Sequence, residues 1–141
     1  MITIERAILI AVGAHSGQKD LEGRPEILHP LRVGLMGDSR EEIITGLLHD
    51  VVEDSSLTID DLRKEGVDEE ILTALYLLTH DKKTQTYMDY VRAIAASGNQ
   101  LAIRVKLHDL THNLERGRAN GHVSLVKKHE RAYEIIRGAV R

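Results

Sequence analysis

The apolar residues fall in series spaced as one face of a helix requires. Ile43, Ile44, Leu47, Leu48 and Val51 advance by one, three, one and three, behind the capping box Ser39-Arg40-Glu41-Glu42. Thr58, followed by Asp60 and Asp61, opens a short helix that Gly66 closes, and Asp68-Glu69-Glu70 opens another carrying Ile71, Leu72, Leu75 and Leu78. A first helix is expected over Ile4 to His15. Later ones are expected over Thr86 to Ala96 closed by Gly98, Gln100 to Arg116 closed by Gly117, and Ser124 to Gly138. His29-Pro30 starts a further helix, with Leu31, Val33 and Leu35 available to hold it against a core. Residues 16 to 28 are rich in Gly and charge, include Pro25, and read as a loop. No repeat or linker is visible, so the pattern predicts one all-α domain over residues 1–141.

Composition narrows the function classes. With 141 residues, 42% of them hydrophobic, the chain is one domain's worth of material. No Phe, no Trp and only four Tyr leave little for strands or base-stacking platforms. No cysteine excludes disulfides, a thiol nucleophile and sulfur-ligated metal, so any metal must sit on His, Asp and Glu. The longest uncharged run, Ala7 to Gln18, is too short and too polar to span a bilayer. No export signal opens the chain, so no membrane association and a cytoplasmic location are expected.

A net charge of -3 hides a local asymmetry. Residues 38 to 70 carry twelve acidic against three basic residues, and residues 115 to 141 carry seven basic against three acidic. The final helix, with Lys127, Lys128, Arg131 and Arg137 and no interleaved aromatics, reads as a packing helix with a solvated basic side. No nucleic-acid partner is expected, and dimerisation through this amphipathic helix stays open. Several acids lie in first helical turns and suit the helix dipole. Asp50, Glu53 and Asp54 do not: they come at the end of the helix begun at Ser39, where negative charge opposes the dipole. Residues four apart share a face, so His49 lies over Glu53 and Asp50 over Asp54. One imidazole and three carboxylates in one small volume call for a divalent cation; a solvated helix end with a satisfied histidine is the alternative from spacing alone.

The wider set of motifs resembles the HD-domain metal-dependent phosphohydrolases, specifically the hydrolase domain of RelA/SpoT-like enzymes acting on guanosine tetraphosphate. Ala14-His15-Ser16-Gly17-Gln18 looks like the family's opening motif, and Gly23-Arg24-Pro25-Glu26-Ile27-Leu28-His29-Pro30 like its Gly-x-Pro-Tyr-x-x-His-Pro segment. Leu48-His49-Asp50-Val51-Val52-Glu53-Asp54-Ser55 is similar to its His-Asp-Val-Val-Glu-Asp-Thr signature, and Lys106-Leu107-His108-Asp109 through Asn113 to its Lys-Leu-Ala-Asp-x-x-x-Asn motif. The resemblance covers Ile4 to Arg116 and implies a helical bundle of about seven to eight helices.

Position by position, the resemblance implies that His29, His49, Asp50 and Asp109 bind one divalent metal, in this family typically manganese. It makes Glu53 and Asp54 the catalytic acids and Asn113 a substrate-binding residue. Mixed nitrogen and oxygen ligands suit Mn²⁺ and leave coordination positions open for water and substrate. Arg24, in the loop, is a candidate cation for a base or phosphate, and Arg116 for a phosphate. Asp20 and Glu26 stand where alarmone-hydrolysing members usually carry Arg and Tyr. His15 is expected to be a structural partner near the site. From spacing alone, Asp109 with Lys106 one turn before it is also open to being a surface salt bridge worth under ~1 kcal/mol.

His108 and His112 have the i, i+4 spacing of a zinc-protease helix but lack its glutamate. They read as surface residues or outer partners of the site, rotated away from the Asp109–Asn113 stripe. His80, His122 and His129 show no partner at useful spacing. The implied activity is release of pyrophosphate from a nucleotide 3′-diphosphate by a stand-alone hydrolase with no synthetase half. The alternatives are the same site acting on another nucleotide (a nucleoside monophosphate, NADPH or a cyclic dinucleotide) and a non-catalytic metal- or nucleotide-binding module. Retention of Glu53 and Asp54 speaks against the last.

Overall fold

A computed structural model describes all of residues 1–141 and contains helices and loops, with one isolated bridge between Lys19 and Pro25. The order is α1 (Ile4–His15), α2 (Leu28–Leu35), α3 (Arg40–Leu48), α4 (Val51–Asp54), α5 (Ile59–Lys64), α6 (Glu69–Leu78), α7 (Tyr87–Ser97), α8 (Gln100–Ala119) and α9 (Val123–Ala139). Eight helices result if α3 and α4 are counted as one interrupted helix, and the fold is the all-α bundle expected. No helix is long and apolar enough to cross a membrane.

Most helix starts follow the caps in the sequence. Thr58 and Asp61 form a reciprocal capping box, each side chain accepting the other's backbone N–H. Ser39 makes half of one: its hydroxyl accepts from Glu42 N, but the Glu42 carboxylate turns to the Asp38 N–H instead. Gly66 and Gly98, at φ of 88° and 68°, stop their helices as expected.

Gly117 does not. α8 continues to Ala119 and the chain reverses at Gly121, φ 71°. Gly117 serves packing, since a Cβ there would lie 3.0 Å from Val126 Cγ2 on α9.

Two apolar clusters make the core. Ile10, Ile44, Leu48, Leu62, Ile71 and Leu75 centre one, between α1, α3, α5 and α6; Val33, Leu78, Ile94, Ile103, Leu110 and Ile136 centre the other, between α2, α6, α7, α8 and α9. Leu101 packs against both. The crossing of α2 and α3 decides where the site lies. A Cβ on Gly46 would sit 3.0 Å from both the Cα and N of Gly34, so the two backbones meet almost without side chains between them. That approach sets His29, early on α2, beside His49, at the end of α3.

Candidate metal centre

The acidic segment is not the tail of one continuous helix. α3 stops at Leu48, His49 and Asp50 form a turn, and the single turn α4 begins at Val51. The carbonyl of Gly46, one turn back, accepts instead from the His49 ring nitrogen Nδ1 at 2.6 Å. Glu53 and Asp54 therefore end a separate single turn and not a long helix, so the dipole expected to oppose them is that of one turn only. Their stacking partly survives, because Asp54 N–H still donates to Asp50 O at 2.9 Å.

Four side chains from three parts of the chain converge. His29 Nε2 lies 2.8 Å from Asp109 Oδ1 and 3.7 Å from Asp50 Oδ2. His49 Nε2 lies 3.2 Å from Asp50 Oδ2 and 3.4 Å from Asp109 Oδ1. His29, His49 and Asp50 offer ligand atoms all within 4.8 Å of one another, and Asp109 reaches both imidazoles from α8. His29, His49 and Asp109 are buried.

One detail makes the arrangement suited to a cation. His49 donates its Nδ1 proton to Gly46, so in the neutral ring Nε2 carries a lone pair, and that buried atom has no hydrogen-bond partner. A bare imidazole nitrogen turned on two carboxylates is what a hard or borderline divalent ion would satisfy.

Without a metal, protons take that place. Burial by itself would favour neutral His49, yet the charges of Asp50 and Asp109 outweigh it and lift its pKa well above the ordinary value. Burial would likewise raise Asp50, but the adjacent His49 charge brings it down to about 2. Asp54 goes the other way: burial first, then the charges of Asp50 and Glu53, raise it to about 6.

The pair Lys106–Asp109 is not at the surface. Lys106 Nζ donates to Asp109 Oδ2 at 2.8 Å with both side chains less than a tenth exposed, and the ammonium lies 5.0 Å from the Tyr90 ring centroid. Lys106 is held charged well above its usual pKa because Asp109 and the tyrosines outweigh burial. Asp109 is held well below its own because Lys106 and the two imidazoles outweigh burial.

Further side chains support the four. His112 is three residues after Asp109, hence turned toward the site rather than away from it, and meets His29 edge to edge, Nδ1 to Nδ1 at 2.7 Å with ring centroids 5.0 Å apart. His80 stacks on Tyr90, and its backbone N–H donates to Glu53 Oε1 at 2.8 Å, which anchors that carboxylate. His15 Nδ1 lies 2.9 Å from Gln18 Oε1, and Gln18 Nε2 donates to the carbonyls of Ala14 and Asp54. His15 is thus the structural partner anticipated, tying α1 to the turn that carries the acids. His122 pairs with Glu22, a hundred residues away in sequence.

Two clefts flank the four side chains. The larger, about 400 Å³, is lined by Arg24, Glu26, His29, His112, Asn113 and Arg116 among others. The second, about 370 Å³, includes Asp50, Glu53, Lys82, Lys106, Asp109 and Lys128. They meet at His29, Asn113, Arg116 and His129. Asn113 bridges them chemically: its Nδ2 donates to Asp109 Oδ1, while its Oδ1 accepts from Arg116.

No family model matches the chain. It is 34% identical over 144 residues to a GTP pyrophosphokinase of Streptomyces coelicolor, an alignment taking in 94% of this chain and 16% of that protein. It is 32% identical over 126 residues to the bifunctional (p)ppGpp synthase/hydrolase SpoT of Escherichia coli, covering 79% of this chain and 17% of the relative. Over most of its length the chain is similar to SpoT/RelA-type proteins. It spans less than a fifth of the length of these curated relatives. A solved structure described as a metazoan ortholog of SpoT that hydrolyzes ppGpp has the same fold, with a TM-score of 0.81 at 20% identity, over 97% of this chain and 86% of that one.

The loop over residues 16–28 is held by its own side chains. Asp20 accepts the N–H groups of Glu22 and Arg24 through one carboxylate oxygen, so it holds the loop. Glu26 sits on the larger cleft, 4.0 Å from Arg116.

Proposed function

We propose that this chain is a single-domain, HD-type, metal-dependent phosphohydrolase that releases pyrophosphate from the 3′-diphosphate of a guanosine tetraphosphate-type nucleotide. The reading rests chiefly on one observation: the bare, buried Nε2 of His49 facing Asp50, His29 and Asp109. Its substrate class comes from the homologous SpoT-type proteins.

His29, His49, Asp50 and Asp109 would hold the ion, taken to be Mn²⁺. When bound, such an ion supplies a Lewis acid that draws charge from phosphoryl oxygens and lowers the pKa of water. The residues of the chain do the rest. Glu53, fixed by the His80 N–H, orients a water against the phosphorus nearest the ribose. The water oxygen bonds to that phosphorus, the phosphorus–O3′ bond breaks, the 3′-oxygen takes a proton, and pyrophosphate leaves. Asp54, on the same turn as Glu53, handles that transfer. Asn113 positions substrate while keeping Asp109 and Arg116 in register. Arg24 and Arg116 offer cations to the phosphates or base in the larger cleft.

A second reading keeps the site and changes the nucleotide. It is favoured by Asp20 and Glu26, carboxylates on the larger cleft where alarmone hydrolases usually carry Arg and Tyr. The deciding experiment is a Mn²⁺-supplemented turnover panel of guanosine tetraphosphate, NADPH, nucleoside monophosphates and cyclic dinucleotides, with Glu53→Gln and Asp54→Asn as controls. Pyrophosphate release from guanosine tetraphosphate, lost in both variants, is expected. Turnover of another member alone moves the assignment to the second reading. Inertness toward the whole panel overturns the enzymatic reading.

A further inference from the structure

α8 holds His29 at both ends of its ring. Asp109 Oδ1 stands 2.8 Å from Nε2, and one turn later His112 Nδ1 stands 2.7 Å from Nδ1, the two rings lying nearly parallel at 13°. Two nitrogens at that separation share one proton, since two N–H groups or two lone pairs would repel. Without a cation, Nε2 holds a proton against the Asp109 carboxylate; a cation bound there would take that proton's place, and the one N–H left to a neutral imidazole would then have to sit on Nδ1. His49 has the same question settled by a backbone carbonyl, which can only accept. His29 has no such carbonyl, and its Nδ1 faces a side chain.

We propose that His112 is a positioning residue that accepts the Nδ1 proton of His29 and so fixes the tautomer and orientation in which His29 ligates a divalent cation through Nε2. This rests on the metal site proposed above and adds to it a residue outside the four ligands. Outer partners of this kind commonly change metal affinity by 10–100-fold. The spacing explains why α8 can do both jobs: residues three apart share a helix face, so Asp109 and His112 close on the ring from its two ends.

The test is calorimetric titration of Mn²⁺ into the full chain after EDTA treatment. His112→Phe keeps a flat ring in the site but offers no acceptor, and His112→Asn returns an acceptor oxygen near the Nδ1 position. The expected result is a roughly 10–100-fold weaker dissociation constant in His112→Phe at unchanged stoichiometry, with most of the loss recovered in His112→Asn. Equal affinity in parent and His112→Phe overturns the inference alone, and equal weakness in both variants assigns His112 a merely structural role. A parent that binds no divalent ion overturns the metal reading and this inference together. A metal-side readout on the parent keeps the test open if a variant fails to fold. In the Zn²⁺-loaded, ¹⁵N-histidine-labelled chain, His29 should carry its proton on Nδ1 and His112 on Nε2, and the reverse assignment for His112 would overturn the proposal.

Discussion

Lys106→Met keeps the length of the side chain and removes its charge. In the parent, the ammonium and the Asp109 carboxylate are 2.8 Å apart with both side chains less than a tenth exposed. Removing one partner of a buried pair leaves the other charge uncompensated, at a cost of ~3–5 kcal/mol, against ~1 kcal/mol or less for an exposed pair. Here His29 and His49 still face Asp109 Oδ1, so the lower end, ~3 kcal/mol, is expected. For a chain of this size that corresponds to a fall of about 10 °C in Tm. Urea denaturation in EDTA at pH 7 reads it directly. Two comparisons sharpen it. Asp109→Asn in the Lys106→Met background should recover part of the loss, because the orphaned charge is gone. Saturating Mn²⁺ should shrink the difference from the parent, because the added cation neutralises the same carboxylate. A loss below ~1 kcal/mol in EDTA would refute the reasoning and return the pair to the solvated salt bridge that sequence spacing indicates.

Gly46→Ala puts a Cβ 3.0 Å from the Gly34 backbone, where nothing flexible can yield. We expect a loss of ~1–3 kcal/mol in urea titrations, together with weaker Mn²⁺ binding, since His29 and His49 are carried on the two helices forced apart. Asp54 gives a pH signature. Its pKa is near 3.9 in an unfolded chain and about 6 here, so between those values the folded state binds more protons and stability falls as pH rises. Asp54→Asn should therefore stabilise the metal-free chain at pH 7, with the gain vanishing below pH ~4 in thermal melts; a gain constant from pH 4 to 7 would contradict this.

Much of the fold was legible because helix caps and stops act locally. Thr58, Gly66, Thr86 and Gly98 need only their neighbours to do their work, and they do it where the letters indicate. Gly117 failed as a stop because its missing side chain answers a partner on α9, which spacing along the chain cannot reveal. The break at His49-Asp50 was hidden for a related reason: the apolar and acidic periods run on through it, and the ring-to-carbonyl bond that marks it is a matter of side-chain geometry. The four proposed ligands were all named from motifs, and the structure brings them together. Their supports were harder to see. Lys106 was open to a surface reading because spacing along the chain does not show Tyr87 and Tyr90 packed beside its ammonium. His112 carried a readable signal, its i+3 relation to Asp109, which the protease-like spacing of His108 and His112 obscured. Gln18 stood in a motif, but its bond to the Asp54 carbonyl joins residues 36 apart in sequence.

The central claim is that four side chains form one cation site. Mn²⁺ titration of the EDTA-treated chain and of His29→Ala, His49→Ala, Asp50→Ala and Asp109→Ala measures it most directly. One ion per chain, with binding lost or severely weakened in each of the four variants, is the expected result. Undiminished binding in Asp109→Ala or His29→Ala, in variants that still melt cooperatively, would contradict it.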